Sequence, residues 1–138
     1  FNIATFRPGF RHADFGDKRT DGYLEVFRGG GDNWSYVRPV APDSDLVMET
    51  AEKRPISDLC CTGLYHFGST GLYLSAYDAY YDDFTPSAAL RERYVAPMYN
   101  ALIKRGLSIR YTLVDRSELI LCGVPDEYEA FLRNRPSN

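Results

Sequence analysis

The sequence predicts a single α/β domain over residues 1–138, with a run of strands followed by helices that alternate with strands. Two observations predict it. Short runs of aromatic and β-branched residues between glycine-rich or aspartate-rich turns fill the part before residue 68 and indicate strands. After residue 68 the apolar spacing changes to every third or fourth position, which indicates helices. A mixed sheet with flanking helices and a β-hairpin, arranged as an α/β or α+β sandwich, satisfies both.

The first half of the chain is predicted to consist of strands and turns. Its apolar, β-prone segments are predicted strands: residues 1–6, 23–27, 34–40, 46–51 and 59–67. Residues 11–22 are polar and form a predicted loop. The Gly-Gly-Gly-Asp-Asn turn at residues 29–33 is expected to join the second and third strands as a hairpin. A further turn is predicted at residues 42–45.

The second half is predicted to contain three helices and two strands. In residues 69–84, one helical face carries apolar side chains beside a tyrosine stripe that would serve packing or an interface. That face comprises Leu72, Ala76, Ala79 and Tyr80, and the stripe comprises Tyr73, Tyr77 and Tyr81. The next helix has the clearest amphipathic spacing: Val95, Met98, Tyr99, Leu102 and Ile103. It is expected to stop at Gly106. Predicted strands at 107–114 and 118–122 precede a last helix opened by Pro125.

Composition limits the classes of partner and compartment. The net charge is −3 and no run of Lys or Arg occurs, which argues against nucleic acid or an anionic membrane as main partner. The three cysteines (Cys60, Cys61 and Cys122) are odd in number and suggest neither a disulfide framework nor a metal knuckle. No signal peptide and no apolar run of about 20 residues is present, so the cytoplasm is the expected location.

Five sequence blocks follow the order of one family's motifs. They are residues 1–6 (Phe-Asn-Ile-Ala-Thr-Phe), 21–27 with 31–37, 52–58 (Glu-Lys-Arg-Pro-Ile-Ser-Asp) with 62–65 (Thr-Gly-Leu-Tyr), 94–100 and 121–128. The first resembles an Asn-Ile-Asp-Thr block, the second a hairpin with Gly-Asp-His-Trp-Ser, the third a Glu-Lys acceptor motif and the last a Gly-Thr-Pro-Glu block. Together they resemble the sugar-nucleotide-type nucleotidyltransferases, in particular a branch found with capsule and surface-polysaccharide genes.

The resemblance implies a three-layer-like, Rossmann-type half-domain. In that family the first half of the domain carries a glycine-rich loop that holds a nucleoside triphosphate. The glycines at residues 29–31 lie in a predicted hairpin with no helix after them, so they do not match that loop. The chain therefore resembles only the second, C-terminal half, and a nucleoside triphosphate would bind only with the missing first half. A start at Phe1 without an initiator Met is consistent with a truncated or processed polypeptide.

The resemblance also implies Mg²⁺, which would bridge the phosphates during transfer. The family's metal-binding Asp corresponds here to Ala4, and a second Asp used by some relatives corresponds to Cys122. Alanine offers no oxygen and a thiol is a poor Mg²⁺ ligand. Nucleotidyl transfer by this chain alone is therefore not expected, and whether the chain is an enzyme stays open.

The resemblance assigns the sugar-phosphate (acceptor) site to six residues. Lys53 would hydrogen-bond phosphate oxygens and Glu52 would accept from sugar hydroxyls, although the pair could also be a solvated charge pair. The strand residues that would line the pocket, or simply form a core strand with a bulge, are Thr62, Gly63 and Tyr65. Trp34 would stack on a sugar or pack in the hairpin core.

The two arginines Arg91 and Arg93 lie near a phosphate-binding Arg of relatives, but a solvated first helical turn is favoured for both. Two main functions follow from these assignments. The chain is either the acceptor-binding half of a nucleotidyltransferase, or a degenerate, non-catalytic module that binds a sugar phosphate or a protein. A sheet that lacks its other half exposes an edge, so a homodimer is also expected.

Overall fold

The computed structural model describes residues 5–6, 20–85 and 92–134. Within them the strands are β1 (Thr5–Phe6), β2 (Gly22–Arg28), β3 (Ser35–Pro39), β4 (Val47–Glu52), β5 (Leu59–Phe67), β6 (Ile109–Leu113) and β7 (Ile120–Leu121). The α-helices are α1 (Thr70–Asp83), α2 (Tyr99–Lys104) and α3 (Pro125–Arg133). Short 3₁₀ helices, Ala96–Met98 and Arg116–Glu118, precede α2 and β7.

A five-stranded mixed sheet forms the centre of the molecule. Its order is β4-β3-β5-β2-β6, in which β6 runs parallel to β2 and the other neighbours are antiparallel. The described residues of β1 and β7 form a separate two-stranded sheet. The helices α1 and α2 contact each other, and both contact strands of the central sheet. The predicted α/β class, with a mixed sheet, flanking helices and a β-hairpin, is confirmed.

The predicted hairpin between the second and third strands, β2 and β3, was wrong. β2 and β3 do not pair, because β5 lies between them and Cys60 is the register partner of both Phe27 and Tyr36. The physical reason is that β5 is apolar on both faces at Leu59 and Cys60, as a central strand must be. The observed hairpin joins β3 and β4, so the glycine-rich segment 29–34 is a connection that passes β5 rather than a hairpin turn.

The two edge strands approach each other at one corner. Leu46, just before β4, forms an isolated antiparallel bridge with Arg110 of β6. The Tyr111 N–H donates to the Asp45 carbonyl at 2.9 Å, and the Arg110 guanidinium pairs with the Asp45 carboxylate. The helix α2 contacts both β4 and β6. The sheet therefore curls around α2, and this concave side holds most of the core.

The core centres on Tyr99, which is completely buried. Its ring stacks on Phe67 with centroids 4.5 Å apart, and its hydroxyl donates to the His66 carbonyl at 2.9 Å. Gly22 lies directly against this ring, since a Cβ built there would be 2.7 Å from a Tyr99 ring carbon. The buried residues around it come from the sheet and both helices: Leu24, Val26, Val37, Val47, Leu59, Cys61, Ala76, Ala96, Met98, Leu102 and Ile109.

The three predicted helices are present, with corrections to their faces. The second helix begins at Tyr99, after the 3₁₀ helix Ala96–Met98, and Val95, predicted on its apolar face, lies before both and is exposed. In α1, Leu72, Ala76 and Tyr80 pack on the core as predicted, whereas Ala79 is exposed. The tyrosine stripe of α1 is on the surface, and its neighbouring rings lie 6.3 and 5.9 Å apart. The helix α2 stops before Gly106, as predicted. Gly106 has a φ of +78°, and its N–H donates to the Ile103 carbonyl. The helix α3 buries none of its residues in the described part of the chain.

Candidate functional site

The dipeptide Glu52-Lys53 ends strand β4 at the edge of the sheet. Glu52 is the register partner of Ser35 in β3, and its side chain is 8% exposed. Lys53 follows the strand and is exposed. The two side chains therefore have different surroundings.

Glu52 lies in a hydrogen-bonded cluster with Ser35, Tyr65 and Cys61. The Ser35 hydroxyl donates to Glu52 Oε2, and the Tyr65 hydroxyl donates to Ser35 Oγ at 3.4 Å. Tyr65 and Cys61 pack together on the helix-covered side of the sheet, and Tyr65 approaches Tyr99 with ring centroids 6.2 Å apart. The register therefore brings two predicted site residues, Glu52 and Tyr65, to the two ends of one short hydrogen-bond chain.

Burial controls the ionisation of this cluster. Desolvation raises the pKa of Glu52 above its ordinary value, while the Ser35 hydrogen bond and the charge of Lys53 act in the opposite direction. Desolvation also raises the pKa of the Cys61 thiol and of the Tyr65 hydroxyl. Both groups are therefore neutral near pH 7. The Glu52 carboxylate therefore has neutral side chains as neighbours in this cluster. A carboxylate oxygen can accept further hydrogen bonds, for example from the hydroxyls of a ligand.

Lys53 is held in an unusual backbone conformation. Its φ of +53° lies in the left-handed region, where L-residues are strained. Its N–H donates to the Trp34 carbonyl at 2.9 Å, which fixes that conformation. The ammonium donates to the Tyr94 hydroxyl at 2.8 Å and lies 5.0 Å from the centre of the Tyr94 ring. The hydrogen bond to Tyr94 is the main cause that raises the pKa of Lys53.

Thr62 and Gly63 lie where strand β5 bulges. Leu24 pairs with Tyr65 and Val26 with Cys61, so β5 contains extra residues opposite β2. Gly63 has φ +98°, and a Cβ there would meet nothing within 4 Å. Thr62 is buried and its hydroxyl accepts from the Leu64 N–H at 3.3 Å. The bulge was anticipated from the glycine, whereas the role of these two residues in ligand binding stays a prediction.

Trp34 packs on the other side of the sheet from Tyr65. Its ring meets Phe27 edge to face at 5.0 Å, within a small cluster that includes Tyr36 and Cys60. Trp34 therefore packs in the core, which is the second of the two roles considered for it from the sequence. The backbone carbonyl of Trp34 accepts the hydrogen bond from the Lys53 N–H.

Of the two candidate arginines, only Arg93 falls within the described residues. Its guanidinium lies 3.9 Å from the centre of the Tyr81 ring and 5.0 Å from that of Phe84. Arg93 is exposed, yet it is held by a cation–π contact to the end of α1 rather than being fully solvated. Arg91 lies outside the described residues.

Sequence reasoning missed two residues of this region, Ser35 and Tyr94. Ser35 could have been found only from the pairing register of β3 with β4, which sets it opposite Glu52. Tyr94 lies 41 residues after Lys53. No local pattern links them, and only the folded chain brings them together.

Of the two positions that the resemblance implies as metal ligands, only Cys122 lies within the described residues. No group of three or more His, Cys, Asp or Glu side chains that could hold a metal ion occurs within residues 20–85 and 92–134. Ala4 lies outside the described residues. Cys122 is a partly buried free thiol, and its sulfur does not suit a hard cation such as Mg²⁺.

The chain has an α/β fold, and two solved structures are similar to it over most of its length. A nucleoside-diphosphate-sugar pyrophosphorylase from Vibrio cholerae RC9 is 53% identical over 97% of this chain, with a TM-score of 0.85. A protein described as a glucose-1-phosphate thymidylyltransferase from Bacillus anthracis, solved with sucrose, shares 17% identity over 91% of this chain with a TM-score of 0.57. This second likeness shows the fold alone. No protein-family model matches the chain, and no curated protein does.

The Vibrio cholerae neighbour supports the family predicted from the sequence, the sugar nucleotidyltransferases. The chain spans 55% of the length of the first neighbour and 48% of the second, about half in each case. No helix in the described residues is long and apolar enough to cross a bilayer.

Proposed function

We propose that this chain provides the sugar-phosphate binding part of a nucleotidyltransferase that makes nucleotide sugars for capsular or other surface polysaccharides. The observation that carries the proposal is the placement of Glu52 and Lys53. A shielded carboxylate that can accept from sugar hydroxyls lies next to an exposed ammonium that can pair with a phosphate. The name of the Vibrio cholerae neighbour, a nucleoside-diphosphate-sugar pyrophosphorylase, supports the same class of ligand.

In the proposed reaction, an oxygen of the acceptor phosphate attacks the α-phosphorus of a nucleoside triphosphate. A new phosphorus–oxygen bond forms and pyrophosphate leaves. On this chain, Glu52 would orient the sugar and Lys53 would offset the negative charge of its phosphate, so that positioning and electrostatics carry the contribution. The nucleoside triphosphate, and any Mg²⁺ that accompanies it, would be held by polypeptide beyond this chain, in the rest of a protein of the neighbours' length.

Calorimetric titration with sugar 1-phosphates and nucleoside triphosphates, with and without Mg²⁺, tests this proposal. We expect a sugar 1-phosphate to bind and Lys53→Ala to weaken it about tenfold or more, because a hydrogen bond to a charged group contributes about 1.5–3 kcal/mol. Lys104→Ala is the matched control, since Lys104 is an exposed lysine at the end of α2. Glu52→Gln is expected to weaken binding of the sugar phosphate more than binding of inorganic phosphate.

If no sugar phosphate binds, the proposal is overturned and the non-catalytic module is favoured. Equal losses from Lys53→Ala and Lys104→Ala would show general charge attraction rather than a site. The oligomeric state is tested separately by light scattering, for which we propose a dimer formed through sheet edges. A monomeric mass at moderate concentration would contradict that part.

A further inference from the structure

Tyr94 makes an unusual contact with the proposed phosphate-binding lysine. Its hydroxyl lies 2.8 Å from Lys53 Nζ, and its ring centre lies 5.0 Å from the same nitrogen. Tyr94 is half-buried and comes just before the 3₁₀ helix Ala96–Met98. Because Ala96 and Met98 are buried in the core, the chain next to Tyr94 is anchored. A core-anchored aromatic residue therefore holds the end of an exposed lysine.

The contact fixes a side chain that would otherwise be mobile. An exposed lysine normally samples many rotamers, and restricting them costs conformational entropy. Here the backbone of Lys53 is also fixed, at φ +53° and by its N–H bond to Trp34. Strained backbone conformations persist where the surrounding structure imposes them, and they cluster at functional sites. Both the backbone and the ammonium of Lys53 are therefore held in one position.

The direction of the hydrogen bond determines what the tyrosine can do next. A lysine ammonium only donates, so the Tyr94 oxygen is the acceptor. A phenol that accepts through its oxygen retains its own O–H as a donor. Lys53 and Tyr94 can thus direct N–H and O–H donors towards one anion, in the manner of a two-sided clamp.

We propose that Tyr94 is a positioning residue that holds the Lys53 ammonium and gives a second hydrogen bond to the phosphate of the bound sugar phosphate. This inference rests on the proposed function for its ligand but not for the pairing of Tyr94 with Lys53. Among the described residues, the charged and titratable groups that act on Lys53 are Glu52, Glu92 and Tyr94. The two carboxylates favour the charged form of Lys53. Tyr94 adds a directed hydrogen bond and, because it is neutral, it leaves the positive charge of the ammonium uncompensated.

Tyr94→Phe and Tyr94→Leu separate the hydroxyl from the ring. Tyr94→Phe keeps the cation–π contact and removes the O–H, while Tyr94→Leu removes both. The first measurement needs no ligand: NMR titration of the labelled Lys53 side chain. The pKa of Lys53 is expected to fall in Tyr94→Phe, because its main cause of elevation is lost, and to stay unchanged in the control Tyr128→Phe, an exposed tyrosine of α3.

The second measurement is calorimetric binding of a sugar 1-phosphate and of the same sugar without phosphate. We expect Tyr94→Phe to weaken binding of the sugar 1-phosphate about tenfold and to leave binding of the unphosphorylated sugar unchanged. The thermal stability of the variant should equal that of the wild type. An unchanged Lys53 pKa together with unchanged affinity would overturn the inference. If the wild type binds no sugar phosphate but Tyr94→Phe still lowers the Lys53 pKa, the proposed function fails while the Tyr94–Lys53 pairing stands.

Discussion

Glu52 and Lys53 are joined by one peptide bond, yet different parts of the fold hold them. Glu52 lies in the shielded cluster on the concave side of the sheet, where Ser35 donates to its carboxylate and Tyr65 donates to Ser35. Lys53 lies on the exposed turn that follows, where Tyr94 and a strained backbone fix its ammonium.

The comparison shows two ways in which a fold prepares a charged group. The carboxylate is positioned by burial and by the register of three strands, so its properties depend on the core. The ammonium is positioned by a local backbone turn and one distant aromatic residue, so its properties depend on few contacts. Substitutions in the core should therefore change stability, and substitutions at the turn should change ligand binding with small effects on stability.

The largest effect is expected from Gly22→Ala, which tests the buried side. A Cβ at this position would lie 2.7 Å from the Tyr99 ring and 2.8 Å from Ile109, inside the core that supports Tyr65. Overpacking of this kind costs about 1–3 kcal/mol, which urea denaturation would measure.

The matched control for that substitution is Gly30→Ala. Nothing lies within 4 Å of a Cβ at Gly30, and no left-handed φ is found there. Its free energy of unfolding should stay within about 0.5 kcal/mol of the wild type. Equal destabilisation by both substitutions would mean that the tight packing around Tyr99 does not control stability.

A smaller effect is expected at the turn, from comparison of Lys53→Gly with Lys53→Ala. Both remove the side chain, but only glycine adopts φ +53° without strain. The left-handed conformation costs an L-residue about 1–2 kcal/mol, and this exceeds the entropy cost of glycine of about 0.5–1 kcal/mol. The glycine variant should therefore be the more stable by roughly 0.5–1 kcal/mol in urea denaturation.

The neighbouring residue provides the control for this reversal. Arg54 is exposed and has no positive φ, so Arg54→Ala should be more stable than Arg54→Gly. If alanine is preferred at both positions, Lys53 is not strained in solution.

The smallest effect is a pH dependence that reports the shielding of Glu52. Its folded pKa is raised above the ordinary value of 4.5, mainly by burial. In the pH range between 4.5 and the raised value, the folded state retains a proton that the unfolded state releases. Stability from this group is therefore full below about pH 4.5 and falls as pH rises through the folded pKa.

Glu52→Gln removes this dependence while keeping the size of the side chain. The stability of this variant relative to the wild type should increase from pH 4.5 upward, as measured by denaturation at several pH values. In protein that retains Glu52, Ser35→Ala should make stability depend more strongly on pH, because the Ser35 hydrogen bond lowers the Glu52 pKa and its loss raises that pKa further. A stability difference between Glu52→Gln and the wild type that does not change with pH would show that the carboxylate is well hydrated.

The sequence by itself determined the class of fold, most of the elements and the Glu-Lys motif. These follow from local patterns. The apolar period predicted the strands of the central sheet and most of the apolar faces of α1 and α2, and Gly106 predicted the end of α2. The motif is continuous in the chain, so residues 52 and 53 could be singled out without knowledge of distant contacts. Their role as a ligand site stays a prediction.

Only the tertiary structure decided which strands pair and which residues accompany Glu52 and Lys53. A glycine-rich turn between two strands is compatible both with a hairpin and with a connection past a third strand, and the apolar faces of β5 favoured the second. Ser35 and Tyr94 joined the site through strand register and through a contact spanning 41 residues. Such contacts depend on how the core packs around Tyr99, and packing of distant residues leaves no periodic signal in the sequence.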